Sequence, residues 1–419
     1  MNGFSGRWRA CVFTSALAAT GLSTSALADP APPFAQLFRQ TSGSPRIAVL
    51  EAEVARAEGL AEQAGARPNP TISLSSENFL GSAPYGGFSR AETTLQVNQP
   101  IELGGKRSAR VAAGRATVLA SRARAIEGRL TYAYDLARAY GLAEIAERRI
   151  ALAEDEVEEA AANVKLARAL VVAGKEARLR QVQAETELNV VEADLAGAEA
   201  NRTAALARLS ALAGVEVAFT SLSESLLDQP DSRPAYGPRD PSQGAAIRAA
   251  AAEREAAALR ITVERQRRTP DVTVHAGLRR LEGERANALV AGVSLPLAIF
   301  DRNRGNIAAA EAELRGSEAR LATARLEALA SSRSASAMLE ASEARVVAAC
   351  RTMATADESY RLARIAYQAG KSPLSELLAA RHVLGTARGV NLDAVAARLD
   401  ARLTLARQSG LTITGEPVQ

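Results

Sequence analysis

Histidine, cysteine and methionine, which bind transition metals through nitrogen or sulfur, are few in this sequence and far apart. The histidines are His275 and His382, and Cys350 is the only cysteine after the first thirty residues. Met338 and Met353 form no ligand cluster with them, whereas zinc and cobalt sites combine several His, Cys or carboxylate ligands. No His-Glu-x-x-His, Gly-x-Ser-x-Gly or Cys–His arrangement is present. We therefore predict no catalytic residue, no metal held by the protein and no cofactor.

One short motif occurs twice. Its copies are Lys165 to Arg168 followed by Ala173-Gly174-Lys175 and, 196 residues later, Arg361 to Arg364 followed by Ala369-Gly370-Lys371. Glycine tolerates the positive φ that ends and reverses a helix, so each copy predicts a turn between two helices. The second copy continues to Ser372 and superficially ends like a phosphate-binding loop. The glycine that such a loop requires five positions before Gly370 is Ile365, which excludes a nucleotide site.

The motif belongs to a duplication of the chain. At the same spacing Pro100 matches Pro296 and Gly214 matches Gly410, and fixed Pro and Gly landmarks rarely recur by chance. We divide the chain into a signal peptide (1–28), an N-terminal segment (29–44), a first repeat (45–214), a proline-rich linker (215–242), a second repeat (243–410) and a C-terminal tail (411–419).

The beginning of the chain is typical of a cleaved secretory signal. Arg7 and Arg9 precede a moderately apolar stretch, and Ala26-Leu27-Ala28 supplies the small residues of a cleavage site. Cys11 lies too early to become a lipid-modified cysteine, so we predict export without a lipid anchor. Removal of Arg7 and Arg9 leaves 49 basic residues against 47 acidic ones. This small excess gives no basis for a nucleic-acid partner.

Each repeat reads as helix, strand, strand, long helix, turn and helix. In the first repeat the opening helix is predicted from Pro45 to Ala66, and alternation with period two then predicts two strands of about ten residues each. After Pro100 the apolar spacing becomes helical for about 70 residues, to Val172, and the same holds from Pro296. Such a helix is about 105 Å long. The opening helix and the helix after the turn together match the length of the long helix. Stacked end to end beside it, they predict a tall two-layer rod with a sheet at one end.

The strands are long enough to cross a bilayer when tilted, and each has polar residues on one face. Two strand pairs cannot stand alone in lipid, because their edge groups have no hydrogen-bond partners there. Two chains would close a barrel of eight strands, and three chains would close one of twelve. The number of strands per chain does not decide between these two assemblies. The alternative is a small soluble sheet on a periplasmic coiled-coil scaffold, although the strands have few large apolar residues for a two-sided core.

The repeat plan, the proline-ended strands and the paired Ala-Gly-Lys turns resemble the TolC family of outer-membrane efflux ducts, over essentially the whole exported chain. The stretches from Asn98 to Arg107 and from Phe300 to Asn306 resemble its heavy-metal (CzcC-like) branch. The resemblance implies a mainly α protomer with a long α-helical coiled-coil tunnel in the periplasm. It also implies four strands per chain, closed by a homotrimer into a 12-stranded barrel in the outer membrane of a Gram-negative bacterium.

The implied function is that of an exit duct rather than an enzyme. Its partners would be outer-membrane lipid, a periplasmic adaptor (membrane fusion) protein and an inner-membrane pump of the resistance-nodulation-division type. The metal branch implies export of divalent heavy-metal cations. The same duct could instead serve drugs or type I protein secretion.

The resemblance also implies roles for single residues. The six turn residues Ala173, Gly174, Lys175, Ala369, Gly370 and Lys371 would form the tips that meet the adaptor. Tyr367 and Glu376 match the constriction of the tunnel, although Ser372 and Ala379 replace the family's arginine and second acid there. A ring of three Glu376 carboxylates would attract cations; a solvated helix charge is the alternative. We interpret the acidic run at 154–159 as a solvated or tunnel-lining face.

Overall fold

The structure, a computed structural model, describes residues 29–228 and 243–418; the predicted signal peptide and the proline-containing part of the linker lie outside them. The helices and strands follow one another in the order α1 (Phe34–Gln40), α2 (Pro45–Ala64), β1 (Thr71–Glu77), β2 (Glu92–Ile101), α3 (Lys106–Val172), α4 (Arg178–Ala213), α5 (Ala245–Gln266), β3 (Val272–Leu281), β4 (Ala286–Ser294), α6 (Arg304–Gln368) and α7 (Leu374–Gln408). The mainly helical fold class with four strands is confirmed.

The bounds of four elements differ from the sequence-based expectation. α2 ends at Ala64 rather than Ala66, and α3 and α6 have 67 and 65 residues because each begins several residues after its strand-ending proline. β1 has seven residues, not ten. It ends early because Asn78 adopts a positive φ of 59°, which turns the chain out of the strand.

α3 is the central pillar of the molecule, about 100 Å long at the usual helical rise. α2 covers its sheet-proximal half, where Gly114 brings the helices so close that a Cβ would lie 3.0 Å from the Ala61 backbone. α4 covers the other half. Its C-terminal end lies beside the middle of α3, where the Tyr132 hydroxyl donates to the Leu212 carbonyl at 2.8 Å. α5 and α7 divide α6 in the same way, and both also contact α3. The predicted two-layer rod follows from this stacking.

Two clusters of buried apolar side chains hold the rod together. The first surrounds the middle of α3, where Leu136 and Tyr140 pack with Phe34, Leu209 and Leu403. The second lies near the helix-reversing turns, between the α3–α4 hairpin and the α6–α7 hairpin. Much of the remaining contact surface is alanine, whose small side chain lets neighbouring helices approach closely.

The described half of the linker is fixed to the first of these clusters by a buried carboxylate. Glu144 of α3 accepts hydrogen bonds from the backbone nitrogens of Leu226 (2.8 Å) and Leu227 (3.1 Å) and from the Ser225 hydroxyl (2.6 Å). Arg148 pairs with Glu144 at 2.7 Å and with Asp228 at 2.6 Å. This satisfies the charge of Glu144 although the residue is only 5% exposed.

The four strands form one antiparallel sheet in the order β1-β2-β3-β4. β2 pairs with β3, so the central pair joins the two repeats, with Leu95 opposite Leu278 and Asn98 opposite His275. Within the described residues β1 and β4 are paired on one side only. No helix in the described part of the chain has both the length and the apolar character needed to span a membrane.

Candidate functional site

The first helix-reversing turn has the geometry of a Schellman motif. The Gly174 nitrogen donates to the Val171 carbonyl at 3.0 Å, and the Lys175 nitrogen donates to the Leu170 carbonyl at 2.9 Å. These bonds satisfy carbonyls that the end of α3 would leave without partners. Gly174 has a φ of 71°, and a Cβ placed there would meet nothing within 4 Å. Glycine is therefore favoured here by its backbone conformation and not by lack of space.

The second turn repeats this geometry at the end of α6. The Gly370 nitrogen donates to the Tyr367 carbonyl and the Lys371 nitrogen to the Ala366 carbonyl, both at 2.9 Å. Gly370 has a φ of 68° and open space around it. Both turns lie at the end of the rod that is remote from the sheet. The predicted tip residues Ala173, Gly174, Lys175, Ala369, Gly370 and Lys371 are all exposed there.

Tyr367 and Glu376, predicted together at the constriction, lie in different environments in the single chain. Tyr367 is 1% exposed and packs with Leu374 and Leu377 between the two hairpins. Burial raises the pKa of its phenol, and the carboxylate of Glu176 adds to that effect. Its hydroxyl has no hydrogen-bond partner among the described residues. Glu376 is exposed on the first turn of α7, so a carboxylate ring at this position stays a prediction.

A cluster of charged side chains that the sequence did not predict lies on the sheet side of the turns, between the two hairpins. Arg381 of α7 is 6% exposed; it forms an ion pair with Glu187 of α4 and donates to the Glu156 carbonyl of α3 at 3.4 Å. About two helical turns further along α7, Arg388 pairs with Glu159 at 3.5 Å and with Asp357 of α6 at 4.0 Å. These bonds link four helices that come from both repeats.

A sequence signal for this cluster did exist. Leu374, Leu377, Arg381, Leu384 and Arg388 follow one another at spacings of 3, 4, 3 and 4, so the two arginines occupy core positions of a coiled coil. Arginine at a core position indicates a charged partner on a neighbouring helix, because a buried charge must be paired.

The acidic run on α3 divides between the cluster and the surface. Glu156 and Glu159 are half-buried and face the arginines of α7, whereas Glu154, Asp155 and Glu158 are exposed. Burial raises the pKa of the Glu156 carboxyl, and the nearby charges of Arg381 and Arg388 oppose that rise. The interpretation as a solvated or tunnel-lining face therefore applies to only part of the run.

The sheet has one polar face and one apolar face. On the polar face Arg279 pairs with Glu92 at 3.1 Å, and Asn98 donates to the Ser73 hydroxyl at 3.1 Å. His275 lies on this face beside Gly292, where a Cβ would collide with its imidazole. On the opposite face the large apolar side chains are exposed, namely Ile72, Leu74, Leu95, Val97, Val274, Leu278, Leu289 and Val293. An exposed apolar face of this size indicates an apolar environment around the sheet.

The remaining candidate ligands stay apart. The Cys350 thiol donates to the Asn391 side-chain oxygen at 3.4 Å on the surface between α6 and α7. Across residues 29–228 and 243–418, no group of three or more His, Cys, Asp and Glu side chains is placed to hold a metal ion.

Comparison with known proteins gives one consistent result. The sequence model of the family described as outer membrane efflux protein matches residues 40–215 and 242–411. The nickel-cobalt-cadmium resistance protein NccC of Alcaligenes xylosoxydans xylosoxydans is 41% identical over 396 residues, which cover 94% of this chain and 89% of that protein. The cobalt-zinc-cadmium resistance protein CzcC of Cupriavidus metallidurans is 30% identical over 361 residues, 85% of each protein.

The fold agrees with this result. The crystal structure of the outer membrane protein VceC of Vibrio cholerae superposes with a TM-score of 0.74, covering 92% of this chain and 97% of that one at 21% identity. Matched along both repeats and over nearly the whole length of its relatives, this chain belongs to the outer membrane efflux protein family.

Proposed function

We propose that this protein is the outer-membrane exit duct of a tripartite efflux system and that it carries divalent heavy-metal cations. The observation that carries the proposal is the 41% identity, over 94% of the chain, with a protein named for nickel, cobalt and cadmium resistance. In this role the protein is a passive conduit and not an enzyme. Ion selection and energy come from an inner-membrane pump of the resistance-nodulation-division type, to which a periplasmic adaptor connects the duct.

The open sheet supports closure of a barrel by several chains, and the family resemblance implies three. Unpaired edges and a lipid-exposed apolar face are compatible with a bilayer only when the edges of several chains pair with one another. With four strands in each chain, three chains give a barrel of twelve strands with the polar face inward. The duct then stands in the outer membrane, and its helical rod extends into the periplasm.

A deletion strain tests the proposed cargo. The strain is complemented with the wild-type gene and challenged with Ni²⁺, Co²⁺, Cd²⁺, Zn²⁺, Cu⁺ and a panel of drugs. Restored tolerance to one or more of the divalent cations, without a change in drug tolerance, is the expected result. Restored tolerance to drugs alone would contradict the metal cargo and leave the duct in place.

We predict that the two glycine turns serve adaptor docking. Gly174→Val or Gly370→Val places a β-branched residue at a φ near 70°, a strain of about 1–2 kcal/mol. We expect each variant to lose cross-linking to the adaptor and to lower metal resistance at least tenfold, while the amount of trimer in the outer membrane is unchanged. Gly316→Val, on a helix face with open space and no positive φ, serves as the control. Wild-type resistance in both turn variants would remove these turns from the docking surface.

A second prediction concerns the constriction. If three Glu376 carboxylates converge on the tunnel axis, they concentrate cations there. Glu376→Gln is then expected to reduce the cation preference of the trimer, and Glu376→Lys to reverse it at low salt, with less effect as screening rises. Glu376→Asp keeps the charge and is the matched control. Planar-bilayer reversal potentials measure the preference, and unchanged values in both charge variants would assign Glu376 to a solvated helix face.

A further inference from the structure

The apolar face of the sheet is too short to match a membrane by itself. On β3 it extends from Leu278 to Val272, and Arg280 ends it on the side away from the helices. The six steps between these seven residues rise about 3.3 Å each and, tilted by about 40°, span about 15 Å along the barrel axis, whereas the apolar band of an outer-membrane barrel is about 25 Å tall. Apolar surface beyond the strands must complete the band, and the exposed Leu80 and Phe88 in the β1–β2 connection supply part of it on the side away from the helices.

The joint between β4 and α6 supplies such a surface. Leu295, Leu297, Ile299 and Phe300 follow the strand directly, and all four are exposed, Phe300 to 98%. In the first repeat the position matching Phe300 is Gly104, so the aromatic side chain is specific to the second joint, whereas the positions matching Leu297 and Ile299 are the exposed Ile101 and Leu103. The surface is continuous with Val293 at the end of the apolar face of β4.

The projecting joint is held in place by its polar residues. The Asn303 side chain donates to the backbone carbonyl of Glu264 at 2.8 Å and to its carboxylate at 2.9 Å, which ties the joint to the end of α5. The Asp301 carboxylate accepts from the Asn303 nitrogen at 2.8 Å. Asn303 itself has a φ of 54°, a conformation that asparagine tolerates better than most residues. The apolar side chains are therefore presented from an anchored loop.

Cationic side chains surround the same end of the sheet. Arg67, Arg107, Arg268, Arg302 and Arg304 lie at the four joints between helices and strands and are exposed. Among the described residues none of these five forms an ion pair, although Arg107 donates to the Gly65 carbonyl at 2.7 Å. The other cations of the joints are paired: Lys106 with Asp271, Arg110 with Glu102 and Arg267 with Glu264. The unpaired charge at this rim is thus mainly positive, with Asp301 and Glu62 as nearby exposed acids.

We propose that this rim is a binding surface for anionic phospholipid in the inner leaflet of the outer membrane. Phe300 and its apolar neighbours enter the acyl-chain boundary, and the five arginines bind lipid phosphates, which a guanidinium can contact through two parallel hydrogen bonds. The positive rim just beyond an apolar band matches the order of chain and headgroup in a leaflet. This inference rests on the proposed barrel and fixes the depth at which the barrel sits.

A tryptophan at position 300 reports whether lipid covers the joint. The sequence has one tryptophan, Trp8 in the predicted signal peptide, so purified wild-type protein provides the blank. The variants are Phe300→Trp, Leu74→Trp in the apolar face and Val172→Trp at the remote tip, each at an exposed residue. In bilayers of brominated phosphatidylcholine we expect quenching of the first two and none of the third. Quenching at position 74 without quenching at 300 would mean that acyl chains do not reach Phe300, and would overturn the proposal.

The headgroup is tested by brominating a minor lipid component. At low salt, brominated phosphatidylglycerol is expected to quench Phe300→Trp several-fold more than the same fraction of brominated phosphatidylcholine, and high salt should abolish the difference. Adding Arg302→Gln and Arg304→Gln should remove the preference. Arg325→Gln with Arg333→Gln is the matched control, since these exposed arginines lie on α6 about 30–45 Å further from the sheet than Arg304. Equal quenching by the two lipids would overturn the phosphate site.

The conductance of the same trimers separates this inference from the proposed function. A variant set that conducts normally but shows no lipid preference contradicts the rim alone. Loss of trimer and of conductance in wild-type protein would contradict the duct itself.

Discussion

Trimer in the outer membrane is expected to disappear when Gly277 is replaced by valine. Gly277 lies on β3 directly beside β2, and a Cβ there would lie 2.4 Å from the Leu95 carbonyl oxygen and 2.8 Å from the Gln96 Cα. Backbone atoms cannot move aside as a flexible side chain can, so the substitution forces β2 and β3 apart. This pair joins the two repeats, and its loss leaves no continuous sheet for a barrel.

The adjacent residue offers the control. Ala276→Val adds the same kind of side chain one position away, on the exposed apolar face, and should leave assembly unchanged. Heat-modifiable trimer bands in outer-membrane fractions, together with single-channel conductance, measure the outcome. Normal trimer from Gly277→Val would show that the central strand pair can widen without loss of the barrel, and would contradict the close approach.

Replacing Arg381 by alanine is expected to loosen the end of the rod near the turns. The substitution leaves Glu187 without its partner and removes the bond to the Glu156 carbonyl. Breaking a fully buried ion pair costs about 3–5 kcal/mol; we expect about 2–3 kcal/mol here, because the Glu187 side chain remains 30% exposed and water can screen it. Since about 1.4 kcal/mol is tenfold, the local opening constant should rise about 30- to 150-fold.

Hydrogen exchange of the two hairpins measures this opening. We expect faster exchange in the turn-proximal parts of α3, α4 and α7 and no change near the sheet. Arg361→Ala is the matched control: its pair with Glu358 has a 2.6 Å distance but both side chains are 53% exposed, so its loss should cost at most a few tenths of a kcal/mol. Equal exchange in the two variants would mean that the Arg381 cluster contributes no more than a surface pair.

Much of the architecture was predictable because it depends on local pattern. Periodicity of 3.5 to 3.6 residues gave the long helices, period two gave the strands and their polar face, and glycine marked both turns. Each of these signals reflects backbone geometry within a few residues, which is why the end of α3 at Val172 and the turn at Gly174 were predicted to the residue.

The single-residue environments were decided by tertiary structure. Arg381 and Glu187 are 194 residues apart, and the same coiled-coil position accepts leucine or arginine, so periodicity alone does not reveal the pair. Likewise, only the packing of the two hairpins buries Tyr367 while leaving Glu376 exposed nine positions later.

The sequence by itself therefore determined the elements, their repeated order and the family, because these follow from short-range periodicity and fixed Pro and Gly landmarks. Tertiary structure alone decided the strand order that joins the repeats through β2 and β3, the arginine cluster between the hairpins, and the exposed joint at Phe300. These features bring together or separate side chains that are distant along the chain. Their energies depend on burial and on partner charges, which no local pattern specifies.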